Sequence, residues 1–407
     1  MSGFGGAKQL RLRVGRRLRI VGLTGITILA LAGCTVSPTN TAVSGDEKEE
    51  KAAAKPVVLK ANPRDGAANV APGEPITVSA RRGTLTKVTL TGEDGTPVKG
   101  KLSEDGKRWV SAQPLGYSKT YTAKATGENP DGKQKTTTST FTTATPQATT
   151  TVSVNPMDGE TVGVGQPLVF TFSTDIPDKA AAERALRVAT EPATDGAFYW
   201  FDDSTVHWRP KEYWTSGTKV DVNAAIYGKD LGGGLFGAED QHSAVTIGDK
   251  VIAIADGASY QMKVSINDKP VRSLPISMGR PGYDTPSGKY VVMSEHQGYT
   301  MDSSTYGVAV DAAEGYRIWV EIATRMSNSG IFYHSAPWSV YAQGNTHTSH
   351  GCINLSPEDS RWLQSVSNKG DVMIVKNTGG PALEPTDGWG DWQIPWQEWL
   401  TGGERNS

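Results

Sequence analysis

The chain has 407 residues, a formal net charge of −2, 37% hydrophobic residues, 46 glycines and 23 prolines. Such a length accommodates two to four domains of roughly 100–150 residues, and this composition favours strands and turns over helices. The charge balance argues against nucleic acid as a partner, and two cysteines in all cannot supply a disulfide framework.

At the N-terminus, Lys8, Arg11, Arg13, Arg16, Arg17 and Arg19 form a basic region ahead of a short apolar run from Ile20 to Ala32. That run is too short for a comfortable membrane span and reads as a signal peptide over residues 1–33. It ends in Leu31-Ala32-Gly33-Cys34, which resembles the bacterial lipobox, where cleavage precedes a cysteine that is then acylated. The resemblance implies an exported protein, lipid-anchored through Cys34 to the outer face of the cytoplasmic membrane and acting in the periplasm or cell wall. An ordinary secretory signal with a cysteine there by chance is the alternative. Residues 34–55 are small, polar and charged, and read as a disordered tether.

An internal repeat follows. Asn62-Pro63-Arg64-Asp65-Gly66, then Gly73-Glu74-Pro75-Ile76, reappears as Asn155-Pro156-Met157-Asp158-Gly159, then Gly165-Gln166-Pro167-Leu168. A Pro-x-x-Tyr recurs at Pro114 to Tyr117 and Pro210 to Tyr213. The period of about ninety residues suits one β-sandwich per copy, so residues 56–146 and 147–248 are expected to be two immunoglobulin-like modules of a mainly β protein. TKVTL (86–90), YTAKA (121–125), LVFTF (168–172) and KVDV (219–222) are strand candidates bounded by Gly, Pro and Asp turns. His207 reads as a strand residue, His242 and His296 as loop residues.

Residues 249–378 remain β-rich. Strand, turn, strand, turn, strand is expected from Val251 onward, with Asp256-Gly257 and Asn267-Asp268 as hairpin points. Further on come turns at Pro281-Gly282 and at Thr285-Pro286-Ser287-Gly288, and a strand from Lys289 to Met293. Ser356 before Pro357, Glu358 and Asp359 has the pattern of a helix N-cap. The strand Asp371 to Lys376 closes this region. In the tail, residues 379–407, Trp389, Trp392, Trp396 and Trp399 share one helical face by spacing, although Pro395 interrupts a simple helix. Docking of the indoles onto a neighbouring module is preferred there over a carbohydrate-stacking platform.

If Cys34 carries lipid, Cys352 in HTSHGCIN (347–354) is the one remaining thiol of an exported protein, which exposes it to oxidation and favours a working role. A buried filler cysteine would not need Gly351 before it. A metal site could draw on His347, His350, Cys352 and His334, but the spacing is no common zinc pattern and no second cysteine joins it. A cysteine nucleophile with a histidine partner fits better, because a thiol at its ordinary pKa is only a few per cent thiolate and needs a base. His334, at the end of the apolar stretch Ile331 to Tyr333, is the candidate base. Backbone N–H groups around Gly351 and Cys352 are candidates for an oxyanion hole.

His334 followed by Ser349-His350-Gly351-Cys352-Ile353-Asn354 resembles the signature of the L,D-transpeptidases, the YkuD-type enzymes of bacterial walls. GRPGYDTPSGKY (279–290) resembles the same family's upstream segment. The order of lipobox, two sandwiches, catalytic domain and Trp-rich tail is similar to the actinobacterial and mycobacterial members. The resemblance implies a peptidoglycan transpeptidase without cofactor. In it Cys352 attacks a donor stem tetrapeptide, D-Ala leaves, and an amine of a second stem resolves the thioester into a 3→3 cross-link. It implies His334 as general base and acid, oriented by the Ser335 carbonyl, with His350 and Gly351 around the oxyanion. Tyr316, Ser329, Gly330 and Asn354 would contact the stem peptide, and Met301 to Tyr316 would form a lid with Tyr306 near its middle. Trp338 is expected to line the cleft, and His347 to bond within the loop. Carbapenem β-lactams are the implied inhibitors. Many relatives carry arginine at the position of Asn354, so recognition of a substrate carboxylate by a guanidinium at that position is not open to this chain. Alternatives are an L,D-carboxypeptidase, a protein-attaching variant, or a non-catalytic wall-binding lipoprotein.

Overall fold

The computed structural model describes residues 53–406, which form one compact unit. The expected signal peptide, Cys34 and most of the expected tether lie outside the described residues.

Residues 56–146 fold into two four-stranded sheets. One pairs Val58–Asn62, Thr77–Arg81, Arg108–Ser111 and Gly100–Leu102, and the other pairs Pro97–Val98, Thr84–Gly92, Thr120–Glu128 and Gln134–Thr142. Alternation along the strands sends Val78, Leu90, Trp109, Tyr121 and Phe141 into one shared core. Residues 147–248 repeat the plan with two further four-stranded sheets around Phe170, Trp200, Trp208, Trp214 and Val222.

The Asn-Pro-x-Asp-Gly motifs have the same job in each copy. Asp65 Oδ1 accepts from Thr140 N and Asp158 Oδ1 from Ala244 N, both at 2.8 Å. Ser139 Oγ donates to Pro63 O and Ser243 Oγ to Pro156 O, again at 2.8 Å in both. The motif therefore staples the start of each sandwich to its last strand. The Pro-x-x-Tyr tyrosines each grip the next element instead. Tyr117 donates to Gly237 O of the second module at 2.7 Å, and Tyr213 packs edge-on against Trp392 of the tail at 4.5 Å.

Two features depart from the expected pattern. A short helix, Lys179–Ala185, is capped by Asp178, whose side chain accepts from Ala181 N. His242 lies in strand Gln241–Ile247 and His296 in strand Ser294–Asp302, not in loops. Both are polar positions on half-exposed strands, where an outward histidine interrupts no apolar face. His207 sits in strand Thr205–Pro210, as expected.

From residue 249 a five-stranded sheet runs in the order Lys269–Pro275, Gln261–Ile266, Val251–Asp256, Val372–Lys376, Gly288–Val291. Asn267 and Asp268 both take positive φ in its second hairpin turn, as a type I′ connection requires. A four-stranded sheet follows, ordered Ser294–Asp302, Arg317–Arg325, Phe332–Ser335, Ile353–Leu355, and helix Pro357–Val366 starts at the Ser356 cap. Val372, Ile252 and Ile374 join the core of the second sandwich, so that module and this domain share buried apolar contact.

The tail forms two short turns, Gly390–Gln393 and Trp396–Trp399, rather than one helix, because Pro395 cannot donate in a continuous ladder. Trp392 Nε1 donates to Gly165 O at 2.8 Å and Trp399 Nε1 to Ala197 O at 2.9 Å, so both indoles are seated on the second sandwich.

Candidate active site

The 347–354 loop and the GRPG…TPSG segment are two halves of one structure. Ser277 and Asn354 exchange backbone bonds, Arg280 N donates to Ser349 O at 3.0 Å, and Thr285 Oγ1 donates to Gly351 O at 2.7 Å. Gly279 has no room for a side chain, since a Cβ there would stand 2.0 Å from Tyr283 O. Gly351 has φ +121°, a conformation open to glycine and strained for other residues, and it turns the chain into strand Ile353–Leu355.

Register then turns the candidate nucleophile and the candidate base toward one cleft. Strands Phe332–Ser335 and Ile353–Leu355 are parallel, with His334 opposite Asn354. Side chains alternate along strands, so His334, Asn354 and Cys352, two residues before Asn354, face the same way. They line a cleft of about 620 Å³ together with Met301, Tyr316, Ile318, Trp338, Thr348, Ser349 and His350. Ser329 and Gly330 line an adjoining recess of about 430 Å³ that shares Met301 and Tyr316 with the cleft. Tyr306 ends the 3-10 turn Ser303–Tyr306 in the segment expected to be the lid.

Cys352 and His334 are 7% and 4% exposed. Burial pushes the thiol up to about 11, against the smaller opposing effects of the Phe332 backbone bond and the Arg325 charge. Burial likewise pushes His334 down to about 4. Both groups therefore rest uncharged at neutral pH. His334 Nδ1 lies 3.0 Å from Ser335 O, and because a carbonyl can only accept, the proton is on Nδ1. Nε2 is left as the acceptor. The indole of Trp338, 46% exposed, stacks beside the imidazole at 5.9 Å. Cys352 Sγ donates to Gly330 O at 3.5 Å.

The remaining histidines separate by their partners. His347 accepts from Met278 N at 3.0 Å and faces Gly257 O at 3.2 Å, so it pins the loop to the five-stranded sheet and does not line the cleft. His350 faces Glu314 Oε2 at 2.9 Å; Glu314 also binds Arg280, and these two contacts hold its carboxyl below the usual range. His350 thus ties the cleft wall to the segment before Tyr316.

One expectation needs correction. The Gly351 N–H donates to Ser349 Oγ at 3.1 Å, so it is committed within the loop and is not an open oxyanion donor. Ser349 Oγ in turn donates to Cys352 O at 2.6 Å. Ser349 and Thr285, both inside the recognisable motifs, are thereby loop-shaping residues to which sequence reasoning assigned no role. Asn354 Nδ2 donates to Ser339 Oγ at 3.0 Å, while its Oδ1 is buried with no partner among the described residues.

Comparison with known proteins agrees with this reading of the fold. Residues 67–230 match the family model described as a bacterial Ig domain, and residues 250–375 match that of the L,D-transpeptidase catalytic domain. L,D-transpeptidase 2 of Mycobacterium tuberculosis is 46% identical over 344 residues, 84% of each chain. L,D-transpeptidase 5 of the same species is 34% identical over 401 residues, covering 95% of this chain and 85% of the relative. A solved L,D-transpeptidase in complex with imipenem is 36% identical, covering 55% of this chain and 97% of its own, with a TM-score of 0.48. Sandwich modules joined to a catalytic domain of this kind define an acyltransferase of modular build. The chain belongs to the L,D-transpeptidase family.

Proposed function

We propose that this protein forms 3→3 cross-links between peptidoglycan stem peptides through a thioester on Cys352. The observation that carries the reading is the placement of Cys352 and His334 on one face of adjacent parallel strands, in a cleft whose base has its Nδ1 proton fixed and its Nε2 free to accept. As the thiol attacks the carbonyl that precedes the terminal D-Ala of a donor tetrapeptide, its proton passes to His334 Nε2. The C–N bond then breaks, and the same proton goes to the departing D-Ala amine. The side-chain amine of a second stem attacks the thioester, gives a proton to His334, and releases the thiol as the sulfur takes that proton back. Asn354, on the wall of the cleft, is placed to meet the stem peptide.

The same thiol is the group a carbapenem would acylate, since opening a strained lactam demands the same nucleophile and base. We also infer that the protein works outside the cytoplasmic membrane, anchored at Cys34; the basic region, short apolar run and Leu31-Ala32-Gly33-Cys34 support this. Labelled fatty acid incorporated by the parent and not by Cys34→Ala is the expected result.

The test of the chemistry is incubation with a disaccharide tetrapeptide and mass spectrometry of the products. A dimer with loss of one D-Ala is expected, whereas tripeptide alone would make water the acceptor. Unchanged turnover in Cys352→Ala would remove the nucleophile assignment.

A further inference from the structure

We propose that Asp387, in the C-terminal tail, is a positioning residue for the reaction, acting through the 327–330 turn on the thiol of Cys352. The proposal rests on Cys352 being the acylated residue.

The turn in question joins strands Arg317–Arg325 and Phe332–Ser335, and Met326 N donates to Ile331 O across it at 2.9 Å. At its tip Gly330 has φ +94°, and its carbonyl accepts from Cys352 Sγ. The turn is also held from outside. Asp387 accepts from Ser329 N at 2.7 Å through one carboxylate oxygen and from Ser329 Oγ at 2.5 Å through the other. The network continues inward, because Ser329 Oγ lies 2.9 Å from Ser327 Oγ and Ile331 N donates to Ser327 Oγ at 3.0 Å. Asn328 Nδ2 adds a longer bond to Thr386 O at 3.4 Å.

The tail is held close to this turn by Gly388. A Cβ there would stand 2.8 Å from Met293 Sδ and 3.1 Å from Ser327 Cα, and the φ of +84° also favours glycine. Four residues beyond Gly388 the tail is anchored on the second sandwich through Trp392. The bidentate carboxylate therefore braces Ser329 from outside the hairpin, and the carbonyl of the next residue, Gly330, touches the reacting sulfur. Charge-assisted bonds to a backbone N–H and a hydroxyl are the strong kind, and loss of such support lets a first-contact group drift by enough to slow chemistry.

The experiment measures acylation of the full chain by imipenem, separating the maximal rate constant from the concentration dependence, with a thermal melt of each variant. Asp387→Ala is expected to lower the maximal rate constant about tenfold and to change the half-saturating concentration less than about threefold. Asp387→Asn keeps an acceptor for Ser329 N–H and is expected within about threefold of the parent. Because the two residues act through one link, Asp387→Ala with Ser329→Ala is expected to be no slower than the slower single variant. A contact that only holds the tail in place would lower the melting temperature and leave the rate constant of the folded protein at the parental value. That result, or single-variant effects that multiply in the double, overturns the proposal. Should Asp387→Ala not fold, Ser329→Ala removes the hydroxyl half of the link and leaves the backbone N–H bond to Asp387 in place; a slowing of about threefold is then expected, and a parental rate constant there overturns the proposal. Absence of any adduct on Cys352 of the parent would instead overturn the functional reading.

Discussion

The guanidinium carbon of Arg209 lies 4.3 Å from the ring centre of Trp399, and the same group also stands 4.6 Å from Trp392 and 5.3 Å from Trp396. Three of the four tail tryptophans thus converge on one arginine of the second sandwich. Arg209 is 2% exposed, donates to Ile394 O at 2.8 Å, and is pushed down to about 10 by burial against the attraction of Asp391. A charge so placed is retained only if its surroundings compensate for lost water. Here three indole faces, the carbonyls of Pro210, Lys211 and Ile394, and the Asp391 carboxylate do so.

It follows that Arg209→Ala should destabilise the protein by about 3–5 kcal/mol, and Trp399→Ala by a similar amount from its lost burial. The cation–π part is separable. In a double-mutant cycle the two effects should fall short of additivity by about 1–2 kcal/mol. Denaturant melts followed by tryptophan fluorescence supply the four free energies, and strict additivity would mean that the stacking contributes nothing beyond area.

The pH profile of acylation follows from the two neutral groups of the cleft. On the proposed chemistry the working form is thiol plus neutral imidazole, and His334 protonates only as pH falls toward about 4. Protonation removes the base, so the rate should hold nearly constant from about pH 5.5 to 8 and decline below that. An imidazole at its ordinary value would instead lose about half the rate at pH 6.5. With Cys352 raised to about 11, no thiolate absorbance is expected in the resting enzyme at pH 7. A strong thiolate band at pH 7 would show that the pair is charged before substrate arrives.

Much of this architecture is legible in the sequence, and the reason is locality. The Asn-Pro-x-Asp-Gly repeat, the Asn267-Asp268 turn and the Ser356 cap each act within a few residues or recur at a fixed interval, so they leave a pattern. Cys352 and His334 are legible because the motifs around them have a fixed spacing. The link between Asp387 and Ser329 spans 58 positions and uses residue types common on any surface, so nothing local marks it. The same holds for Glu314 and His350, where an acidic loop residue gains meaning only from the wall it meets. Helix Lys179–Ala185 did have a local signal, Asp178 ahead of an alanine-rich run, obscured by the strand-rich context.

Asp371 predicts a stability effect with a definite sign. It lies where the second sandwich meets the catalytic domain, next to Gly163, is 2% exposed, and has one carboxylate oxygen without a partner among the described residues. Burial raises it to about 8, with Glu295 adding repulsion. A carboxyl whose folded value exceeds its unfolded one favours the folded state most at low pH, and that contribution is lost as pH climbs from about 4 to about 8. Asp371→Asn keeps an acceptor for Asn368 N and never ionises. It should melt higher than the parent at pH 8, by about 1–3 kcal/mol of stability, and flatten the decline between pH 5 and 8. Parallel melting curves for parent and variant across that range would refute it.

Ser349 offers the sharpest test of the loop itself. One hydroxyl donates to Cys352 O and accepts from Gly351 N–H, so it closes the turn on both sides of the peptide that carries the thiol. Removing it in Ser349→Ala leaves a buried carbonyl and a buried N–H without their partner, at a cost of about 1–3 kcal/mol. The released Gly351 amide would then be free to turn toward the cleft. Two consequences compete: a looser sulfur slows attack, while an added donor near the oxyanion would speed it. The first should prevail, because a preorganised donor helps only when its position is fixed, and the hydroxyl is what fixes it. Imipenem acylation of Ser349→Ala is therefore expected to slow about tenfold or more with a lowered melting temperature. A variant that melts lower yet acylates faster would mean that Gly351 is an oxyanion donor held in reserve by Ser349, and that the resting loop must rearrange before reaction.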